Sequence, residues 1–510
     1  MSVDLYKAEA KRLADHLADT HGIKLKHTSI LAAVASLHGA RDWNTLIARH
    51  KPGLLQRAAD VLRPRPSLSS IVDIEDMLYD LPAAGLRFGL QMAANQEPGS
   101  LADSTPLDVY DSQLLRHTLV VGGNGLGYSP LLEYLAAQQI IRGGGLLVLD
   151  PRQDLHMSRR LELAARHAGR EDAYTVLMDE ASRPADLAVD SYDLFSEADP
   201  QTLTLRILAG AGVGAPTNPG AEFYRTNMQN MLAAVLRAMH AANSPVSAKT
   251  LSQLFSVPAQ LLELANKVSH DPAAQDALLT VLRPYIKTTK NGEELTESAL
   301  NGSLGGLCGR LAHMAQVFPD KAAAGSRSLR ISTVLENDQV AYVGDNLLGE
   351  HKMKMLYAVV EDLKQAFEAR RSALKRGAPR SEVPFLVVVP MTLAVLSPNL
   401  MRQLLLTARE ANVALIFHVS SLGELDSAGT AVADDILTQT RTKVFFAPSA
   451  QRAFEQAAGC LEYSSTATPA DSAKAPPSIR ERLKKLEIAE ALLLTGREVL
   501  DLRVRLIRSE

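Results

Sequence analysis

Residues 117 to 135 read His-Thr-Leu-Val-Val-Gly-Gly-Asn-Gly-Leu-Gly-Tyr-Ser-Pro-Leu-Leu-Glu-Tyr-Leu. The first five, HTLVV, form a short run of apolar and β-branched residues stopped by glycines, which predicts a strand. PLLEYLAAQQIIR (130–142) predicts a helix, with proline at the first position, where a missing N–H costs nothing. GLLVLD (145–150) predicts a second strand. Strand, glycine loop, helix and strand make a βαβ unit, and that unit predicts parallel α/β architecture.

The loop Gly122 to Ser129 fits the frame G-x-x-x-x-G-[K]-[ST] between a strand and a helix, the setting this phosphate-binding motif requires. Gly122, Gly123, Gly125 and Gly127 allow the backbone to fold into a nest of amide donors, and the following helix directs its positive end to the same point. Ser129 stands where a magnesium-ligating hydroxyl belongs. The lysine is replaced by Tyr128, a bulky neutral ring in place of a point charge. Pro130 removes the next amide hydrogen. The degenerate nucleotide site is therefore expected at Gly122, Gly123, Gly125, Gly127, Tyr128 and Ser129, keeping the shape of the loop without the groups that grip a phosphate.

A motor built on such a loop also needs acids at the end of a buried strand, to hold magnesium through water and to activate the attacking water. FLVVV (385–389) is the candidate strand, and it ends in Pro390 and Met391, with no carboxylate at either position. Asp150 and Asp154 remain after the second strand of the βαβ unit, but strand-end and helix-start acids commonly serve structure. No catalytic residue is assigned from these positions, and no metal-ligand set is expected.

Further strands are expected at QVAYV (339–343), VALIFHV (413–419), KVFFA (443–447) and ALLLTG (491–496), with a helix from Lys352 to Arg371. Between about 196 and 322 the pattern is helical almost throughout, which predicts an all-α insertion interrupting the sheet. At the other end, three short helices are expected within residues 4 to 50, around Trp43, the only tryptophan. His16, His21, His27, His38 and His50 lie there in no metal-ligand spacing. The expected organisation is a helical module at 1–52, a linker and lead-in strands at 53–112, the first part of the α/β domain at 113–195, the insertion at 196–322 and the second part at 323–510.

With 46% hydrophobic and 22% charged residues in 510, the chain has material for a large core and more than one domain. A formal net charge of -3 argues against a uniformly basic nucleic-acid binder. Cys308 and Cys460 are far apart and give no disulfide framework. The start, MSVDLYKAEAKRL, carries charges where a secretory signal needs an apolar stretch, and the run Pro384 to Leu396 is too short to span a bilayer. The expected location is cytoplasmic.

The ordered series HTLVVGGNGLGYS, GGGLLVLDPRQDL, ISTVLENDQVAYVGDNLLG, FLVVVPMTLAVLSPNL, NVALIFHVSSLGEL and TRTKVFFAPSAQRAFEQAAG resembles the TraG/TraD-like coupling proteins of conjugation and type IV secretion over roughly residues 84 to 510. The resemblance implies a RecA-like phosphate-loop NTPase fold. It implies ATP and magnesium as ligands, DNA and other secretion subunits as partners, and a hexameric or mixed ring. Gly122, Gly125, Gly127 and Ser129 match the family's loop, whereas Tyr128, Pro390 and Met391 depart from it, as does Ser420 at the position of a glutamine sensor. LKHTSILAAVASLHGARDWNTL (25–46) resembles a helical module of glyoxalase-related bacterial proteins.

These substitutions together imply a pseudo-ATPase: a scaffold or substrate recruiter in a conjugative or type IV secretion machine, reaching the inner membrane through partners. The alternatives are an active, divergent DNA-translocating ATPase, and a regulatory or binding protein of a mobile element outside secretion.

Overall fold

The computed structural model describes residues 71–77, 81–92, 104–178, 190–195, 199–213, 219–289, 292–304, 306–318, 328–345, 354–464 and 478–508. The expected helical module at 1–52 and most of the linker after it lie outside these residues.

Among the described residues, eleven strands form one sheet. In chain order they are β1 (Leu86–Gln91), β2 (Thr105–Val109), β3 (Thr118–Val121), β4 (Leu146–Asp150), β5 (Tyr174–Met178), β6 (Val340–Gly344), β7 (Phe385–Val389), β8 (Val413–Val419), β9 (Thr442–Phe446), β10 (Glu490–Thr495) and β11 (Glu498–Arg503). Their spatial order is β2-β1-β11-β10-β9-β3-β8-β7-β4-β6-β5. From β9 to β5 every pairing is parallel. The other wing, β10, β11, β1 and β2, is joined to β9 and within itself by antiparallel pairings.

The central strands are apolar on both faces because both faces are covered. Leu119 and Val121 of β3 point into one core, together with Leu147 and Leu149 of β4, while Val120 and Val148 point into the other. The second core is closed by α1 (Tyr128–Ile141) and α2 (Leu155–His167). Helix α1 is buried on nearly every side. Its two glutamines are accommodated by hydrogen bonds: Gln138 Nε2 donates to Arg87 O at 2.8 Å, and Gln139 Nε2 donates to Gly145 O and Pro384 O, both at 2.9 Å.

Between β5 and β6 the insertion comprises α3 (Pro200–Gly210), α4 (Pro219–Ala241), α5 (Ala248–Ser256), α6 (Pro258–Lys267), α7 (Pro272–Leu282), α8 (Glu297–Leu304) and α9 (Leu307–Val317). One departure from the all-helical expectation is a hairpin pairing Ile286–Thr289 with Gly292–Leu295. The sequence there carries Asn-Gly at 291–292 after two threonines, a hairpin signal too short to alter the helical reading of the segment. The insertion is anchored to α10 (Lys354–Lys375) by a buried ion pair, Arg206 to Asp362 at 3.3 Å, with the Tyr192 hydroxyl donating to the same carboxylate at 3.0 Å. No helix among the described residues is long and apolar enough to cross a membrane.

Candidate functional site

The expected site residues converge at the carboxyl ends of β3, β8 and β7, which are neighbours in the sheet. Crevices outside these strand ends are where open α/β sheets place their ligands. The loop from Gly122 to Gly127 connects β3 to α1. Gly122 N–H donates to Val419 O at 3.0 Å, so the loop begins tied to β8. A Cβ at Gly122 would lie 2.7 Å from Phe446 Cβ. Gly127 caps α1 at φ 112, where a Cβ would lie 2.8 Å from the Cα of Ala489. Gly125 sits at φ 80, a conformation costly for other residues. The glycines thus fit the loop against β9 and the approach to β10.

Tyr128 does not project into the crevice. It is 1% exposed, and its ring stacks on His418 with centroids 3.6 Å apart and planes inclined by 9°. Its hydroxyl donates to Asn124 Oδ1 at 3.0 Å. His418, near the end of β8, is equally buried. Its Nε2 lies 2.8 Å from Gly122 O, and its Nδ1 accepts from Met391 N–H at 3.0 Å. A carbonyl can only accept, and the amide only donate, so these partners assign the neutral Nε2–H tautomer. Burial lowers the His418 pKa to about 4, opposed by the bond to Gly122 and helped by the Arg152 charge. With both ring nitrogens engaged, His418 is a strap between three strand ends and not a base.

Pro390 is buried at the end of β7. Met391 follows in the left-handed conformation, φ 47 and ψ 51, and begins the short helix Thr392–Val395. Thr392 Oγ1 donates to Val389 O at 2.7 Å and accepts from His418 N–H at 2.8 Å. Ser420 is exposed, and its N–H donates to Glu424 Oε2 at 3.1 Å.

The two remaining acids are engaged by the polypeptide. Asp150, 0% exposed, accepts from Arg152 N–H and Asp154 N–H, both at 3.0 Å, and from the Tyr342 hydroxyl at 2.8 Å. Asp154 caps α2 through His156 N–H at 3.0 Å and Met157 N–H at 3.2 Å. Between them lies Arg152, a residue the motif frame does not single out. One Nη donates to the Tyr128 hydroxyl at 3.1 Å and to Ser129 Oγ at 3.2 Å. The guanidinium also lies 3.6 Å from Asp150 and 3.9 Å from Asp154. The signal that could have found it is its place directly after β4, two residues beyond a strand-end aspartate.

Solved structures with this architecture include complexes and free forms of a plasmid coupling protein. Plasmid coupling protein TrwB with an ATP analogue matches at TM-score 0.56 and 15% identity, over 86% of this chain and 93% of that one. TrwB with ADP and Mg2+ matches at 0.55 and 16%, over 79% and 88%. An unbound form described as a bacterial conjugative coupling protein matches at 0.54 and 14%, over 82% and 89%. The fold is that of a conjugative coupling protein.

That coupling-protein fold is RecA-like, with the sheet and helices expected of a phosphate-loop ATPase. Residues 1–63 match a different model, described as a glyoxalase superfamily protein. No curated protein matches the chain by sequence.

The phosphate-loop frame of Gly122 to Ser129 makes magnesium nucleotide the ligand to test against the residues present. The fit is poor: Tyr128 brings no charge, and Ser129 Oγ already meets a guanidinium. The oxygens of Asp150 are held by backbone and tyrosine donors, and β7 ends without a carboxylate. Among the described residues, no group of three His, Cys, Asp or Glu side chains is placed to hold a metal ion.

Proposed function

We propose that the chain is a coupling-protein-like subunit that does not hydrolyse nucleotide and acts as a scaffold or substrate recruiter in a conjugative DNA-transfer or type IV secretion machine. The fold supports the machine, and the observation that carries the loss of catalysis is the Tyr128 ring, which stands in the lysine position and is turned inward onto His418. Removing one preorganised electrostatic group from such a site typically slows chemistry by about 100 to 1000-fold, and groups that act together fail together.

In this reading the subunit joins a hexameric or mixed ring, meets DNA and other secretion subunits there, and associates with the inner membrane through those partners. Residues 1–52 serve as a separate attachment module, residues 53–112 supply a linker and lead-in strands, and the insertion spans 196–322. The test is ATP turnover by the full chain, with and without DNA. Turnover above the protein-free blank by the unmodified chain sinks the proposal. Combining Tyr128→Lys, Pro130→Thr and Met391→Glu should strengthen binding of a labelled ATP analogue.

A further inference from the structure

We infer that Arg152 is an internal ligand of the Gly122–Ser129 loop, an autoinhibitory contact that closes the loop from within so that its order does not depend on a bound anion. The inference deepens the reading of a disabled phosphate loop and rests on it.

The guanidinium meets the side chains of the two loop positions that the motif assigns to ligand and metal. One nitrogen donates to both hydroxyls, Tyr128 at 3.1 Å and Ser129 at 3.2 Å. The arginine is in turn held by Asp150 and Asp154. Asp150 cannot follow it outward, because three other donors fix both carboxylate oxygens. From Gly122 to Arg152 the loop is therefore locked twice, through Tyr128 to His418 on one side and through Arg152 to β4 on the other.

Charge decides between a closing contact and a waiting phosphate receptor. Around the β4 turn, one guanidinium faces two carboxylates, so Arg152 brings no net positive charge to the loop. The Arg152 nitrogen that faces the loop is committed to the two hydroxyls, and the arginine's charge is matched by the carboxylates of Asp150 and Asp154. The turn also stores strain. Gln153 sits at φ 53, and its buried carboxamide has no hydrogen-bond partner among the described residues. Such conformations persist where their surroundings over-determine them, as the bonds of Asp150 and Arg152 do here.

Hydrogen exchange on the full-length chain tests the contact, with tripolyphosphate binding measured by calorimetry as a second arm. Arg152→Ala should speed exchange of the amides from Gly123 to Ser129 by about tenfold or more, while β10 and β11 exchange as before. Tyr128→Phe, which keeps the stack and loses the hydroxyl, should give a smaller acceleration in the same amides. Tyr128→Lys combined with Arg152→Ala should bind tripolyphosphate at least about tenfold more tightly than Tyr128→Lys alone. Unchanged exchange in both Arg152→Ala and Tyr128→Phe overturns the inference. So does tripolyphosphate binding by the unmodified chain that Arg152→Ala weakens, since Arg152 would then be an anion ligand. Failure of the broader functional reading is measured separately, as ATP turnover, and leaves the exchange result interpretable.

Discussion

The rings of Tyr128 and His418 lie parallel, 3.6 Å apart at their centroids, and join the first turn of α1 to the end of β8. In the motif's frame this tyrosine position holds a charge that points at a ligand. Here the side chain is part of the core. A buried aromatic pair adds about 0.5 to 1.5 kcal/mol beyond its area burial. Tyr128→Ala is therefore expected to cost about 3 to 5 kcal/mol, and Tyr128→Phe about 1 kcal/mol for the hydroxyl bonds. Urea unfolding of single and double variants with His418→Ala checks this. An additive cycle would mean that the stack contributes nothing of its own.

Acid should weaken the fold through two histidines. His418 and His117 are both buried, and both have pKa values lowered to about 4 from 6.5, with burial the largest cause. His117 accepts from Leu415 N–H at 3.2 Å and faces Leu405 O at 3.2 Å, so it too is held neutral. Because the folded values lie below the unfolded ones, the unfolded state binds more protons once pH drops below about 6.5. Stability is unaffected by these groups above that pH, falls between about 6.5 and 4, and levels off below. At full protonation the loss is about 3 kcal/mol for each histidine. Unfolding midpoints from pH 7.5 to 4.5 should fall less steeply in His418→Gln and His117→Gln, while a slope unchanged by both substitutions would contradict the assignment.

The loop glycines should separate by geometry and not by their place in the motif. Gly127 combines a left-handed φ with a neighbouring backbone 2.8 Å from its would-be Cβ. Among the described residues, nothing lies nearer to a Cβ at Gly123 than Leu126 Cδ1 at 3.8 Å. Gly127→Ala is expected to cost about 2 kcal/mol or more, and Gly123→Ala within about 0.5 kcal/mol. Equal costs in thermal unfolding would show that the loop relaxes around either change.

How far the sequence discloses this arrangement depends on the element. FLVVV and VALIFHV become β7 and β8 residue for residue, because a strand buried on both faces must be apolar throughout and therefore stands out. The strands β5 and β11 are not legible in the same way. YTVLM lies next to a helix end without a clear turn signal, and EVLDLR alternates polar and apolar residues on the antiparallel wing. At the site, the glycines and the missing lysine are legible because the motif has fixed spacing. The approaches of Tyr128 to His418 and Arg152 are not, since they depend on the spatial order of β3, β8, β7 and β4, which no local spacing encodes.

Met391 offers the sharpest test of the β7 end. It is a non-glycine residue at φ 47 and ψ 51, and its N–H donates to His418 Nδ1. The left-handed conformation costs most residues about 1 to 2 kcal/mol, β-branched residues more, and asparagine less. Met391→Asn should therefore leave stability within about 1 kcal/mol, as relief of strain offsets the reduced packing of a half-buried side chain. Met391→Val has to hold a branched side chain in the same backbone and should cost about 2 kcal/mol or more. Thermal unfolding compares the two. If valine is tolerated as well as asparagine, the left-handed turn is not imposed by its surroundings, and the strap from His418 to β7 is weaker than its 3.0 Å bond suggests. The same backbone bears on restoring an acid here, because Met391→Glu would inherit the left-handed turn unless the bond to His418 gives way. Weakening that bond with His418→Gln should then increase what Met391→Glu adds to binding of the labelled ATP analogue, and no such increase would place the obstacle elsewhere in the loop.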